Sequence, residues 1–188
     1  SLDAGALDRL ALDDVRVRKA LRHLFNRESM VEKLMYNEYT MADSMYSGSV
    51  YENPANEKIA YDPQKAMALL ADAGWRERDP QGRLTRNGQP LTIEIVYGDQ
   101  ASERFFTVFQ EDLRRVGITL NLRFTTFETL VKLLDERTFG MASIAYTGSI
   151  FPSPEQNWLG RLADENNTNN ITGFKNARAD ELIDSYGK

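Results

Sequence analysis

Leu91-Thr-Ile-Glu-Ile-Val-Tyr97 and Ile118-Thr-Leu-Asn-Leu-Arg-Phe124 are the stretches that decide the fold. In the first, Leu91, Ile93, Ile95 and Tyr97 alternate with Thr92, Glu94 and Val96; in the second, Ile118, Leu120, Leu122 and Phe124 alternate with Thr119, Asn121 and Arg123. A period of two marks a strand, because successive side chains point to opposite faces. Between the two, Phe105, Phe109, Leu113 and Val116 recur at helical spacing, with Ser102 as the expected cap and Gly117 as the expected stop. Downstream, Thr125 and Glu128 predict a capping box for a short helix ending near Glu136, and Phe139 to Tyr146 reads as an apolar strand. This strand–helix–strand–helix–strand order predicts an α/β unit. Its central mixed sheet contains Thr92–Tyr97, Ile118–Phe124 and Met141–Tyr146 and is flanked by helices.

Working towards the N-terminus, Asn87-Gly88 is a hairpin signal and Asp79-Pro-Gln-Gly82 a turn. Asp62-Pro63 predicts a helix start, a capping carboxylate followed by proline at the first helical position. Ala66, Leu69, Leu70 and Ala73 give its apolar face, Gly74 stops it, and Trp75 packs back. Tyr36 to Ala60 has no clean period and reads as a long loop, a length that is usually functional or disordered. Asp13 and Asp14 cap a helix running to about Phe25, with Val17, Ala20, Leu21, Leu24 and Phe25 on one face, and Asn26 caps another. Beyond Tyr146, Thr147 to Pro154 is a small-residue loop, and Asp164 to Asn170 a polar surface loop.

Composition excludes several classes. The chain has 188 residues, 27% of them charged, a net charge of −5 and no cysteine. Disulfides, thiolate metal sites and cysteine nucleophiles are therefore out. No basic face points to nucleic acid. No apolar run approaches the roughly 18 residues of a membrane span. The one histidine, His23, lies among Lys19, Arg22 and Arg27 and off the Val17–Leu21–Leu24 face, so it reads as a surface residue. A lone histidine makes a zinc site or a Ser-His-Asp triad improbable, and no nucleophile elbow surrounds any serine. Asp13, Asp14, Asp62 and Glu128 are explained by capping; Glu155 is not. Asn166-Asn-Thr and Asn170-Ile-Thr match a glycosylation sequon, a pattern short enough to arise by chance. The expectation is no metal, no cofactor and no catalytic centre.

Tyr146-Thr-Gly-Ser-Ile-Phe-Pro-Ser-Pro-Glu155 is the informative loop. Ligands of α/β sheets sit beyond the carboxyl ends of strands, and small residues let backbone amides approach them. The alternative is a plain connection whose prolines only fix its path.

Asp14-Val-Arg-Val-Arg-Lys-Ala-Leu21 followed by Asn26-Arg-Glu-Ser-Met-Val31 resembles a signature of the family 5 extracellular solute-binding proteins, the dipeptide, oligopeptide and nickel binders of ABC importers. Tyr61-Asp-Pro-Gln-Lys-Ala66 with Leu70-Ala-Asp-Ala-Gly-Trp75, Phe109 to Ile118, and Asn170-Ile-Thr-Gly-Phe174 with Ala179-Asp-Glu-Leu-Ile183 are similar to further motifs of that family, in order along nearly the whole chain. Ser153-Pro-Glu-Gln-Asn-Trp158 resembles its YejA-like branch. The resemblance implies a periplasmic-binding-protein type II fold, with residues 1–188 a C-terminal lobe, a fragment of a two-lobed protein. It implies a periplasmic or lipid-anchored monomer that takes a peptide or peptide-like solute to a membrane permease and binds no nucleic acid. The competing expectation is a solute-sensing domain of a transcriptional regulator. Of the family's binding residues, Phe127 and Tyr146 match by position; together with the reading of the loop above, the expected ligand-facing set is Phe127, Tyr146, Thr147, Gly148, Ser149 and Ile150, with Met45 and Tyr46 nearby. The position of the family's amine-binding aspartate falls on Ser149 or Ile150, neither acidic, which implies a ligand with a blocked or absent amine, or compensation by Glu155.

Overall fold

The computed structural model describes residues 11–145 and 153–186. Helix α1 (Val15–Leu24) begins at Asp14, whose carboxylate accepts from the Arg16 amide at 2.9 Å. Helix α2 (Arg27–Leu34) begins at Asn26, which accepts from Ser29 at 3.1 Å. The long loop follows. It is tied back by Arg27, which donates to the Ala42 carbonyl, the Asp43 carboxylate and the Ile59 carbonyl. Helix α3 (Pro63–Asp72) is capped by Asp62 and ends at Gly74, whose φ of +92° few side chains tolerate. Helices α1 and α3 pack together and bury Leu24 and Leu70 completely; each such leucine is worth roughly 1.5–3 kcal/mol.

Strands β1 (Glu77–Arg78), β2 (Leu84–Arg86) and β3 (Gln89–Pro90) form a small antiparallel sheet. Its β2–β3 turn is Asn87-Gly88, with φ of +54° and +74° as a type I′ turn requires. Strand β4 (Thr92–Tyr97), helix α4 (Glu103–Arg115), strand β5 (Thr119–Phe124), helix α5 (Phe127–Asp135) and strand β6 (Met141–Ser143) build the main sheet, in the order β5-β4-β6. The three expected segments do share one sheet. Its described pairs are all parallel, and antiparallel pairing is confined to the hairpin sheet, because helix α4 returns the chain to the same edge before β5 begins.

Both faces of β4 are covered. Ile93, Ile95 and Tyr97 join the larger core with α1, α3 and Phe106, Phe109 and Leu113 of α4; Val96 joins a second cluster with Leu130 and Leu134 of α5. A parallel sheet buried on both faces loses strict alternation, which is why Val96 is as buried as its neighbours. Helices α6 (Pro154–Trp158) and α7 (Ala177–Tyr186) pack on each other towards the C-terminus.

Several expectations are corrected. Ser102 makes no side-chain cap; Asp99 accepts from the Ala101 amide at 3.0 Å and caps a 3-10 turn, Gln100–Ser102, that leads into α4. Thr126, not Thr125, caps α5 and accepts from Thr129 at 3.2 Å, because the Thr125 amide is used in a bond to the Tyr97 carbonyl. Among the described residues strand β6 is Met141–Ser143, shorter at both ends than expected; it stops at Ser143 where its partner β4 ends at Tyr97, and Tyr146 lies outside the described residues. His23 is buried, only 4% exposed. Its Nδ1 lies 2.9 Å from the Ala60 carbonyl, and the end of the long loop closes over it. That cover comes from far along the chain, and a helical wheel cannot show it. Asn170 is likewise fully buried rather than on a surface loop.

Candidate functional site

The three parallel strands end level with one another: Tyr97 pairs with Phe124 on one side and with Ser143 on the other. Their carboxyl ends form a rim, the place where the connections of an α/β sheet leave room for a ligand. Tyr97 is its buried floor, packed against Phe106 at 5.0 Å and Phe124 at 5.7 Å between ring centres. Burial, followed by a hydrogen bond to Glu103, holds the Tyr97 phenol above its ordinary pKa, so it remains a neutral donor. Gly98 follows. A side chain there would press on Leu130 at 3.2 Å and on the Cα of Phe127 at 3.5 Å, so glycine lets the start of α5 approach the end of β4.

Two phenylalanines stand out of this rim, Phe124 at 52% and Phe127 at 67% exposed. Of the residues expected to bind ligand, Phe127 is therefore placed at the carboxyl end of the sheet with its ring open. Tyr146, Thr147, Gly148, Ser149 and Ile150 lie outside the described residues. The described chain reaches them through exposed Ile144 and Ala145 and resumes at Ser153. Met45 is exposed and Tyr46 half-buried on the long loop.

The far side of the connection is held firmly. Glu155 is half-buried in the first turn of α6. Trp158 of α6 meets Phe174 edge-on at 5.4 Å. Asn170 donates to the carbonyls of Leu159 and Phe174 and accepts from the Phe174 amide. Arg137, at a positive φ of 52°, donates to the carbonyls of Leu162, Glu165 and Asn170 and to the Thr168 hydroxyl. Sequence reasoning missed both Asn170 and Arg137 as organising residues, because their partners are mostly backbone groups, which have no sequence signature. Desolvation, followed by the neighbouring Tyr51 and Tyr46 and the Glu155 charge, raises the pKa of the Tyr186 phenol.

Among the described residues, the two neighbouring carboxyls whose pKa values move in opposite directions are Glu111 and Asp112. Burial raises the Asp112 carboxyl against the pull of Arg115, while the hydrogen bond to Arg114 lowers Glu111. Each carboxylate is paired with its own arginine on the helix, and neither lines the two large concavities formed by the described residues. Among the described residues no three His, Cys, Asp or Glu side chains converge as a metal site would need, and no helix is long and apolar enough to cross a membrane.

Residues 6–169 match the profile of the bacterial extracellular solute-binding proteins, family 5 middle region. The nickel-binding periplasmic protein of Escherichia coli is 34% identical over 113 residues, covering 58% of this chain and 22% of that protein. The oligopeptide-binding protein AppA of Bacillus subtilis is 26% identical over 175 residues, covering 90% of this chain and 32% of that protein. The probable peptide-binding protein YejA of Agrobacterium fabrum is 23% identical over 203 residues, covering 89% of this chain and 33% of that protein. The structure of AppA with a nonapeptide superposes with a TM-score of 0.82 at 25% identity, over 94% of this chain and 36% of that one. An oligopeptide-binding protein of Thermus thermophilus with a pentapeptide gives 0.83 at 27% identity, over 97% and 34%. The chain thus spans about a third or less of the length of these relatives, and its architecture is part of a type II periplasmic binding protein. The chain belongs to the family 5 extracellular solute-binding proteins of bacteria.

Proposed function

We propose that these residues form one lobe of the substrate-binding component of an ABC importer for peptides or peptide-like solutes. The solute would rest on the rim made by Phe127, Tyr146, Thr147, Gly148, Ser149 and Ile150. The observation that carries this reading is the level ending of three parallel strands beneath two open phenylalanines. Rigid aromatic rings supply contact area at small entropic cost, and apolar side chains of this size left in water at a strand terminus favour a cover. The small residues of the adjoining loop offer backbone donors and acceptors, a way of holding varied peptides without reading their side chains. The cover is a second lobe, closing over the solute by hinge motion.

On this reading the protein binds and releases its solute unchanged and catalyses nothing. It works outside the cytoplasmic membrane, in the periplasm or on a lipid anchor, as a monomer that meets the importer's permease. Glu155, the half-buried acid at the end of the loop, is the group available to a ligand amine in place of the family's aspartate.

The test is to purify the full-length polypeptide, identify the solute that accompanies it by native mass spectrometry, and measure its affinity by calorimetry. Phe127→Ala and Tyr146→Ala are expected to weaken binding at least tenfold each while the fold persists. Unchanged affinity in both variants removes the rim as the binding surface.

A further inference from the structure

Asn87-Gly88 carries a reactivity that its turn does not need. Of the chain's asparagines it is the one followed by glycine; every other is followed by a residue with a β-carbon. The pair fills the tip of the β2–β3 hairpin at φ of +54° and +74°, which asparagine and glycine adopt with least strain. Both residues are exposed, and nothing lies within 4 Å of where a Gly88 β-carbon would stand. Among the described residues no group holds the Asn87 side chain or accepts from the Gly88 amide. An electrophilic side-chain carbonyl and an unhindered, solvated backbone nitrogen therefore belong to adjacent residues at an open tip.

The hairpin does little to hold the pair still. Strand β3 is Gln89–Pro90, and Pro90, opposite Thr85, has no N–H to give to the ladder. The turn is closed by the Arg86–Gln89 pair, and the next bond beyond it runs from the Leu91 amide to the Leu84 carbonyl at 2.8 Å. Opening the tip breaks local bonds only and leaves the main sheet intact.

We infer that Asn87 is a site of spontaneous deamidation. The Gly88 nitrogen attacks Asn87 Cγ and closes a succinimide ring through the new N–Cγ bond. The Cγ–Nδ2 bond breaks, and the side-chain amide leaves as ammonia with the proton from Gly88. Water then opens the ring at one carbonyl to give aspartate, or at the other to give isoaspartate; it is the only co-reactant. Aspartate adds a charge at an exposed tip. Isoaspartate also moves a side-chain carbon into the backbone, and a two-residue turn has no slack for it, so the Arg86–Gln89 register is lost. Arg86 carries the damage inward. It donates to the Ala73 carbonyl at 3.1 Å and lies 4.7 Å over the ring of buried Trp75. The inference stands independently of what solute the rim binds.

The full-length polypeptide, held at mildly alkaline pH and sampled over time, is mapped by mass spectrometry with electron-transfer fragmentation, which separates aspartate from isoaspartate. Asn87 is expected to convert at least about tenfold faster than any other asparagine, mainly to isoaspartate, and within about tenfold of its own rate in urea. Gly88→Ala, whose added carbon meets open space, should slow the conversion at least tenfold while the protein stays folded. Conversion spread evenly over the asparagines, a rate at Asn87 unchanged by Gly88→Ala, or protection in the folded protein beyond about tenfold relative to urea overturns the inference. Asn87→Asp supplies the second measurement, because it has the charge without the added backbone carbon. Aged protein carrying isoaspartate should unfold at lower urea than Asn87→Asp. Equal midpoints overturn the predicted loss of register.

Discussion

Replacing Asn170 by alanine removes one small side chain, yet it should be among the most damaging single changes in the chain. The residue is completely buried, and its amide makes three hydrogen bonds: to the Leu159 carbonyl at 3.2 Å, to the Phe174 carbonyl at 2.9 Å and from the Phe174 amide at 2.9 Å. Alanine leaves all three backbone groups without this partner. At about 1 kcal/mol of net stability for each bond, the expected loss is about 3 kcal/mol. With a urea m value of about 2 kcal/mol/M, the unfolding midpoint falls by about 1.5 M. Asn166, in the preceding sequon-like stretch, is exposed, and Asn166→Ala should stay within about 0.5 kcal/mol. Urea titration followed by circular dichroism measures the global midpoint, and the near-ultraviolet signal and fluorescence of the two tryptophans, Trp75 in the core and Trp158 against Phe174, give a second midpoint to which the clamp contributes. If Asn170→Ala shifts neither midpoint by more than about 0.25 M, the clamp does not hold α6 and the account of how the loop is anchored fails. The same burial predicts that Asn170, although it fits a sequon, is not glycosylated in the folded protein.

Further predictions are as direct. Gly117→Ala should cost upwards of about 2 kcal/mol in a denaturant titration, because φ is +89° and the added carbon would sit 2.6 Å from the Gly82 carbonyl and against Arg78; Gly88→Ala, with open space around it, should cost about 1 kcal/mol. Leu70→Ala, in the fully buried α1–α3 interface, should cost about 2–5 kcal/mol by the same assay. The hydrogen bond from Arg16, above all, holds Asp14 at a pKa of about 2 against a usual 3.8. A carboxyl depressed on folding contributes stability that is present above 3.8 and lost as pH falls towards 2. Asp14→Asn should therefore flatten the acid limb of a stability–pH curve within that window. Phe127→Ala should leave stability within about 0.5 kcal/mol, since the ring is mostly in water, so any loss of binding reads the rim and not the fold.

What could be read from the sequence was mostly local. Asp14, Asn26 and Asp62 cap helices within three residues of themselves, and Asn87-Gly88 dictates its own turn, so each signal is complete in a few residues. The strands of the main sheet were legible for the same reason. Errors arose where the deciding contact was distant or competing. Two adjacent threonines, Thr125 and Thr126, offered the same cap, and the ladder bond of Thr125 to Tyr97 settled which was used. His23 is covered by Ala60, 37 positions away, and Asn170 by backbone groups on either side of it, neither of which a helical period or a polar run reveals. The carboxyl end of β6 depended on where β4 stops, a property of the partner and not of the apolar run. The candidate site was legible only through strand ends and family resemblance, since open aromatics and small residues carry no spacing of their own.

The central claim, that solute rests on the carboxyl rim of the parallel sheet, is tested most directly by amide chemical shifts of the full-length protein with and without its co-purified solute. The account predicts the largest shifts at Gly98, Asp99, Thr125 to Phe127 and Ile144 to Ile150, with Leu91, Thr92 and Thr119 at the opposite end nearly still. Shifts concentrated at that opposite end, or absent from the rim at saturating solute, would contradict it.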